Sequence, residues 1–237
     1  MRKKAITIIC LVAIVFSSWK IIDYFLTYKN VEEDEKELQE TIATTSLTEL
    51  QTQYDEMIGW IQIEQTKIDY PIMQAENNEF YLTHSYEGEK LRAGSIFLDY
   101  RNDPFLNDRH SIIYGHDLRN GSMFGQLHQF GDQSFAESNR HFTIDTGNEK
   151  LHLKVFAAYE TTTDFYYIET EFTNESFEQF IKTIKKKSII TFDENIKLFD
   201  TILVDKSYTE GNFALAMNSE TCHVVDGSEK ILNIINE

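Results

Sequence analysis

The sequence predicts a mainly β protein, a closed or nearly closed β-barrel with an N-terminal helical extension and one helix inserted before the late strands. Hydrophobic residues make up 41% of the 237 residues and aromatic residues 13%. From Gly59 onward, short runs of β-branched and aromatic residues alternate with turn-forming Asn, Asp, Gly and Pro. Many short strands at close spacing are typical of barrels. We therefore expect one main domain at 59–237, preceded by an extension.

The N-terminus predicts a membrane anchor over residues 1–28. Basic residues at positions 2–4 precede the uncharged run Ala5–Trp19, and a second apolar patch, Ile21–Tyr28, follows Lys20. Such a pattern favours a single-pass anchor with the N-terminus in the cytoplasm and the domain outside the cell. A cleaved signal peptide is the alternative, but no small-residue cleavage pattern follows Phe16.

Residues 29–58 predict a helical extension, because they are rich in Glu, Gln, Leu and Thr and contain no Pro. The helical pattern breaks around Thr44–Ser46, which predicts one or two helices. Ser46 and Glu49 have the spacing of a capping box, so we expect a helix to begin there.

The barrel domain contains nine candidate strands and two candidate helices. The predicted helices are Met123–Phe130 and Ser176–Lys187, and the second one carries an apolar stripe. The predicted strands are Trp60–Ile63, Ile68–Met73, Ser95–Tyr100, Ser111–Tyr114, His141–Asp145, Leu151–Thr161, Ser188–Phe192, Thr201–Val204 and Phe213–Met217.

The formal net charge of −17 excludes a nucleic-acid partner, because phosphate backbones are bound by clustered Lys and Arg. The one basic cluster, Lys185–Lys187, follows an amphipathic segment. We interpret it as a solvated helix end.

His116 is a candidate for proton transfer. It follows the buried strand Ser111–Tyr114 and Gly115, so it is mounted on a rigid element and can still reach solvent. Imidazole changes charge near neutral pH and is a common general acid or base. The alternative is that His116 only caps the strand.

Six short motifs follow one another between about residues 57 and 130: Gly59–Ile63, Thr66–Gln74, Asn77–Leu82, Gly94–Asn102, Ile112–His116 and Ser122–Phe124. In this order they resemble the class B sortases, which are membrane-anchored cysteine transpeptidases of Gram-positive bacteria.

The resemblance implies a sortase-type barrel and a catalytic role for His116. It also implies cleavage of a sorting signal near the C-terminus of a secreted protein, and attachment of that protein to a cell-wall peptidoglycan or pilin amine. Sortases carry out this chemistry with Cys, His and Arg. Membrane contact through the N-terminal helix belongs to the same expectation.

The family cysteine ends a Thr-Leu-x-Thr-Cys strand, and its arginine begins the next strand. Here the strand Asp200–Val204 is followed by residues without cysteine, and the last arginine is Arg140. Cys222 is the one thiol outside the predicted anchor, so it is the candidate nucleophile. The alternatives are a catalytically inactive homologue that binds sorting signals or cell-wall peptides, and a structural wall protein in which His116 has no role.

Two further groups of residues carry chemically active side chains. Asp99, Arg101 and Asp103 are either an acid/base group or a solvated turn. The histidines at 110, 116 and 223, with Cys222, lack the paired spacing of a zinc site. We predict no metal and no cofactor.

Overall fold

A computed structural model of the chain describes residues 2–161, 166, 168–192, 200–206, 212–219 and 232–236. The chain divides into two compact units, residues 1–44 and 45–237. The first unit is one helix, α1, Arg2–Thr44.

Within the described part of the chain, no helix contains an apolar stretch that could cross a membrane. The predicted single-pass anchor is therefore wrong, and so is the localisation inferred from it. The uncharged run Ala5–Trp19 rises only about 22 Å as a helix, whereas the hydrocarbon layer is about 30 Å thick. Lys20 and Asp23 then interrupt the second apolar patch.

The second unit is mainly β, as predicted. Its α-helices are α2 (Leu47–Gln53), α3 (Gln133–Ser138) and α4 (Asn174–Lys187), and short 3-10 helices span Phe80–Leu82 and Leu127–Gly131. Its strands are β1 (Met57–Ile63), β2 (Asp69–Met73), β3 (Ile96–Leu98), β4 (Ser111–Gly115), β5 (His141–Asp145), β6 (Lys150–Thr161), β7 (Asp200–Lys206), β8 (Asn212–Ser219) and β9 (Leu232–Asn236).

The described strands form one curled sheet in the order β6-β5-β1-β2-β3-β4-β9-β8-β7. Strand β6 pairs with β5 on one side and with β8 on the other, so the sheet curls back on itself. Helix α4 lies between β6 and β7 in the chain, which confirms the predicted helix before the late strands.

Strand β4 lies inside this sheet. Phe97 of β3 pairs antiparallel with Tyr114, and β9 runs parallel to β4 on the other side. The whole of β4 is buried, which explains its continuous run of apolar residues.

Helix α2 begins where the sequence predicts. The Ser46 side chain accepts a hydrogen bond from the Glu49 amide, and the Glu49 carboxylate accepts one from the Ser46 amide. These bonds satisfy amides that have no partner inside the helix.

Two predicted elements are wrong. Ser188–Phe192 forms no strand, because Ser188 is the C-cap of α4 and its hydroxyl bonds to the backbone of Ala158 and Ile190. Met123–Phe130 is a turn followed by a 3-10 helix rather than an α-helix. Met123 has a φ of 50°, which is incompatible with the predicted helix.

Candidate functional site

His116 directly follows β4, at the end of a strand whose Ile112 and Ile113 are fully buried. The absence of a side chain at Gly115 allows the backbone to pass between Ile96 and Phe124 before His116. A Cβ atom there would lie 2.3 Å from Cδ1 of Ile96 and 2.7 Å from Cδ2 of Phe124. These side chains therefore pack against the bare backbone. The result is a half-buried imidazole on a rigid support.

Two hydrogen bonds hold His116 in place. Its backbone carbonyl accepts from the Phe124 amide at 3.0 Å. Its ring Nε2 lies 2.8 Å from the carbonyl oxygen of Leu82. A carbonyl oxygen only accepts hydrogen bonds, so Nε2 must carry the proton. In the neutral ring, Nδ1 is then the nitrogen with a free lone pair.

Asp99 anchors a buried polar network beneath β4. The Arg101 guanidinium donates to both carboxylate oxygens of Asp99, from Nε at 2.8 Å and from Nη2 at 2.7 Å. The Tyr114 hydroxyl donates to the same carboxylate at 2.8 Å, and the side-chain amide of Asn78 also donates to it, at 3.0 Å. The side chain of Asp99 is fully buried. Such a charge is stable inside a protein only when it is paired and hydrogen-bonded.

The network keeps Asp99 ionised. Burial acts to raise the pKa of Asp99, but the bonds from Arg101 and Tyr114 outweigh it, and the pKa lies below its usual value. The hydrogen bonds to Asp99 likewise raise the pKa of Arg101. The solvated-turn interpretation is therefore wrong for Asp99. Asp103 differs, since its carboxylate caps the Phe105 amide in the turn.

Arg101 also connects β3 to the segment before α4. Its Nη2 donates to the carbonyl of Ile168 at 3.0 Å. Because its guanidinium already binds Asp99 and Ile168, Arg101 is held in a structural position.

His110 lies at the other end of β4 from His116. A strand rises about 3.3 Å per residue, which separates the Cα atoms of the two histidines by about 20 Å. Ring Nδ1 of His110 bonds to the carbonyl of Glu169, and the ring packs against Phe172 and Phe180. The two histidines therefore do not form one site.

Cys222 and His223 lie outside the described residues. The described strands on either side of them have clear directions. Met217 of β8 pairs with Leu232 of β9, which pairs with Ser111. Strand β8 therefore ends beside the Ser111 end of β4, whereas β9 ends with Asn236 opposite Gly115, next to His116.

Sequence reasoning missed two parts of this site. The Leu82 carbonyl is a backbone group and leaves no signature in the side-chain pattern. Asn78 lies 21 positions before Asp99, so the sequence does not indicate that the two side chains meet. A signal was available in Gly94, since a glycine next to a buried strand often marks a close backbone approach.

Comparisons with known proteins agree with this architecture. The Sortase domain family model matches residues 61–193. Sortase B of Listeria monocytogenes is 37% identical over 231 residues, and the match covers 90% of this chain and 94% of that protein.

Solved structures give the same result. Sortase B of B. anthracis superposes with a TM-score of 0.76 at 36% identity, covering 82% of this chain and 98% of that one. A Staphylococcus aureus sortase B–substrate complex superposes with a TM-score of 0.68 at 29% identity, covering 81% and 93% of the two chains.

The chain therefore belongs to the sortase family. Its similarity to sortase B proteins over most of its length makes it a class B sortase, a cysteine transpeptidase. The family resemblance inferred from the motifs is confirmed.

Proposed function

We propose that this class B sortase cleaves a sorting signal near the C-terminus of a secreted protein and joins that protein to a cell-wall peptidoglycan or pilin amine. The observation that carries the proposal is the half-buried imidazole of His116, held at Nε2 by the Leu82 carbonyl. The Staphylococcus aureus sortase B–substrate complex, which is 29% identical, supports a peptide substrate.

His116 acts as general acid and base, and Cys222 is the candidate nucleophile. The thiol attacks the scissile carbonyl, forms the S–C bond and gives its proton to Nδ1 of His116. The C–N bond then breaks, and the departing amine takes that proton. The acceptor amine next attacks the thioester and loses a proton through His116, and the thiol recovers its proton as the new amide forms.

A second candidate function is binding of sorting signals or cell-wall peptides without turnover. Two observations favour it. No arginine follows Arg140 in the sequence, and Arg101 is already bonded to Asp99. Strand β8, which precedes Cys222, ends at the far end of β4 from His116.

The test uses the full chain with a panel of fluorogenic sorting-signal peptides and a glycine peptide as the amine. We expect transpeptidation to fall at least about 100-fold in both Cys222→Ala and His116→Ala, because each removes an essential group. Cys10→Ala and His152→Ala are the matched controls, since both residues are exposed and neither belongs to the proposed site. They should keep wild-type rates within about twofold.

Turnover that survives Cys222→Ala would exclude Cys222 as the nucleophile. A folded wild type that binds a peptide of the panel, measured by fluorescence anisotropy, but never turns it over would replace transpeptidation with the second candidate.

A further inference from the structure

The loop that receives the His116 ring is built around one glycine. We propose that Gly94, by leaving room for the Leu82 carbonyl, is a positioning residue that fixes the His116 proton on Nε2 and reserves Nδ1 for proton exchange with substrate. This inference rests on the proposed role of His116 and deepens it.

The carbonyls on either side of Leu82 are bonded within the loop. The Tyr81 carbonyl accepts from the Ser95 amide at 2.8 Å, and the Thr83 carbonyl accepts from the Leu91 amide at 2.9 Å. These bonds set the orientation of the peptide units around the short 3-10 helix. The Leu82 carbonyl points to the His116 ring instead, at 2.8 Å from Nε2.

Gly94 packs directly on this backbone. Its φ of 59° lies in the left-handed region, and a Cβ there would lie 2.3 Å from the Tyr81 oxygen and 2.8 Å from the Leu82 oxygen. Both neighbours are backbone atoms, which cannot move aside as a flexible side chain can. Any larger residue must therefore displace the carbonyl that holds His116.

The position of the proton matters for the reaction. With Nε2–H bonded to Leu82, the neutral ring accepts a proton at Nδ1, and the charged ring donates it again from Nδ1 without breaking the Leu82 bond. The ring therefore keeps its orientation through the whole transfer. Without the carbonyl, the neutral ring would be free to exchange its two tautomers.

The same loop provides a matched control. Gly88 has a φ of 82°, and a Cβ there would meet nothing within 4 Å. An alanine at Gly88 therefore introduces the left-handed backbone strain without the clash, which separates the cost of the conformation from the loss of the carbonyl position.

The first measurement is ¹⁵N NMR of the full chain with labelled imidazoles, at a pH where the His116 ring is neutral. His116→Gln identifies its signals. We expect a single tautomer with the proton on Nε2 in wild type and in Gly88→Ala, and a mixture in Gly94→Ala. A wild-type ring protonated at Nδ1, or a mixture in wild type, would overturn the inference. This measurement does not depend on turnover, so it stands apart from the test of the proposed function.

The second measurement is the kinetics of the same variants on a peptide that the wild type turns over. We expect Gly94→Ala to lower kcat by about 100-fold with little change in KM, since a displacement of about 1 Å at a catalytic group has an effect of this size. Gly88→Ala should keep both values. If Gly94→Ala does not fold, the NMR measurement on the wild type decides the inference, because a His116 ring protonated at Nδ1 or a mixture of tautomers would overturn it. Equal tautomers and equal kcat in the folded pair would refute the role of Gly94.

Discussion

At the scale of single residues, the two histidines that bracket β4 have opposite environments. His116 is half-buried and keeps one ring nitrogen available, whereas His110 is fully buried among aromatic rings. Burial lowers the pKa of His110 from 6.5 to about 3, and repulsion from Arg101 acts in the same direction. The bond to the Glu169 carbonyl and the charge of Asp99 oppose the shift without cancelling it.

This shift predicts an acid-sensitive fold. The unfolded chain binds a proton at His110 below pH 6.5, and the folded chain does so only near pH 3. The contribution of His110 to stability is therefore complete above pH 6.5 and falls as the pH drops toward 3. Between pH 5.5 and 4.5 it should reduce the free energy of unfolding by about 1.4 kcal/mol per pH unit.

Urea denaturation across this pH range checks the prediction. His110→Asn keeps a donor for the Glu169 carbonyl but cannot titrate, so its free energy of unfolding should depend less on pH. His152→Asn alters an exposed histidine and should keep the wild-type pH dependence. Equal slopes in the two variants would contradict a buried neutral His110.

Helix α4 shows how far an element can be inferred from its own sequence. Its predicted apolar stripe is buried, and Thr173 and Ser176 form a capping box at its start. Acidic Glu175 in the first turn and three lysines in the last turn complement the helix dipole. The apolar stripe depends on spacing within one helix, so periodicity was sufficient to predict the helix, whereas the capping box at Thr173 was not predicted.

Truncation of the stripe should destabilise the domain. Ile184 is fully buried, so Ile184→Ala should reduce the free energy of unfolding by about 3 kcal/mol through lost apolar contact and a cavity. Lys186 is exposed on the same helix, and Lys186→Ala should change it by less than about 0.5 kcal/mol. Chemical denaturation measures both. A large effect at Lys186 would contradict the interpretation of the lysine cluster as a solvated helix end.

At the scale of the molecule, the division at Thr44 predicts independent folding of residues 45–237. Among the described residues, the buried apolar core begins at Leu50. A fragment that starts at Thr45 should therefore unfold cooperatively, with a free energy of unfolding within about 0.5 kcal/mol of that of the barrel in the full chain. Circular dichroism during urea titration provides the measurement. A fragment without a cooperative transition would show that residues 1–44 are needed for folding.

Some residues of the candidate site could be predicted from the sequence, and others could not. His116 became a candidate because it directly follows a buried strand and a glycine, and because the resemblance to class B sortases implies a catalytic role for it. The partners of Asp99 were not predicted, since Asn78 and Tyr114 reach it from 21 and 15 positions away. The turn-like composition around Asp99 predicted a solvent-exposed carboxylate, whereas in the structure this side chain is fully buried. The anchor prediction failed because it joined the short uncharged run Ala5–Trp19 to the second apolar patch Ile21–Tyr28, although Lys20 and Asp23 interrupt the combined stretch.

The sequence by itself determined the class of fold, the helix before the late strands, the capping box at Ser46 and the family, because each depends on local periodicity or on motifs in a fixed order. Only the tertiary structure decided which backbone carbonyl meets the His116 ring, why Gly94 and Gly115 must lack a side chain, and that β9 rather than β8 lies beside β4. These features are contacts between distant segments of the chain, and their distances depend on how the sheet curls.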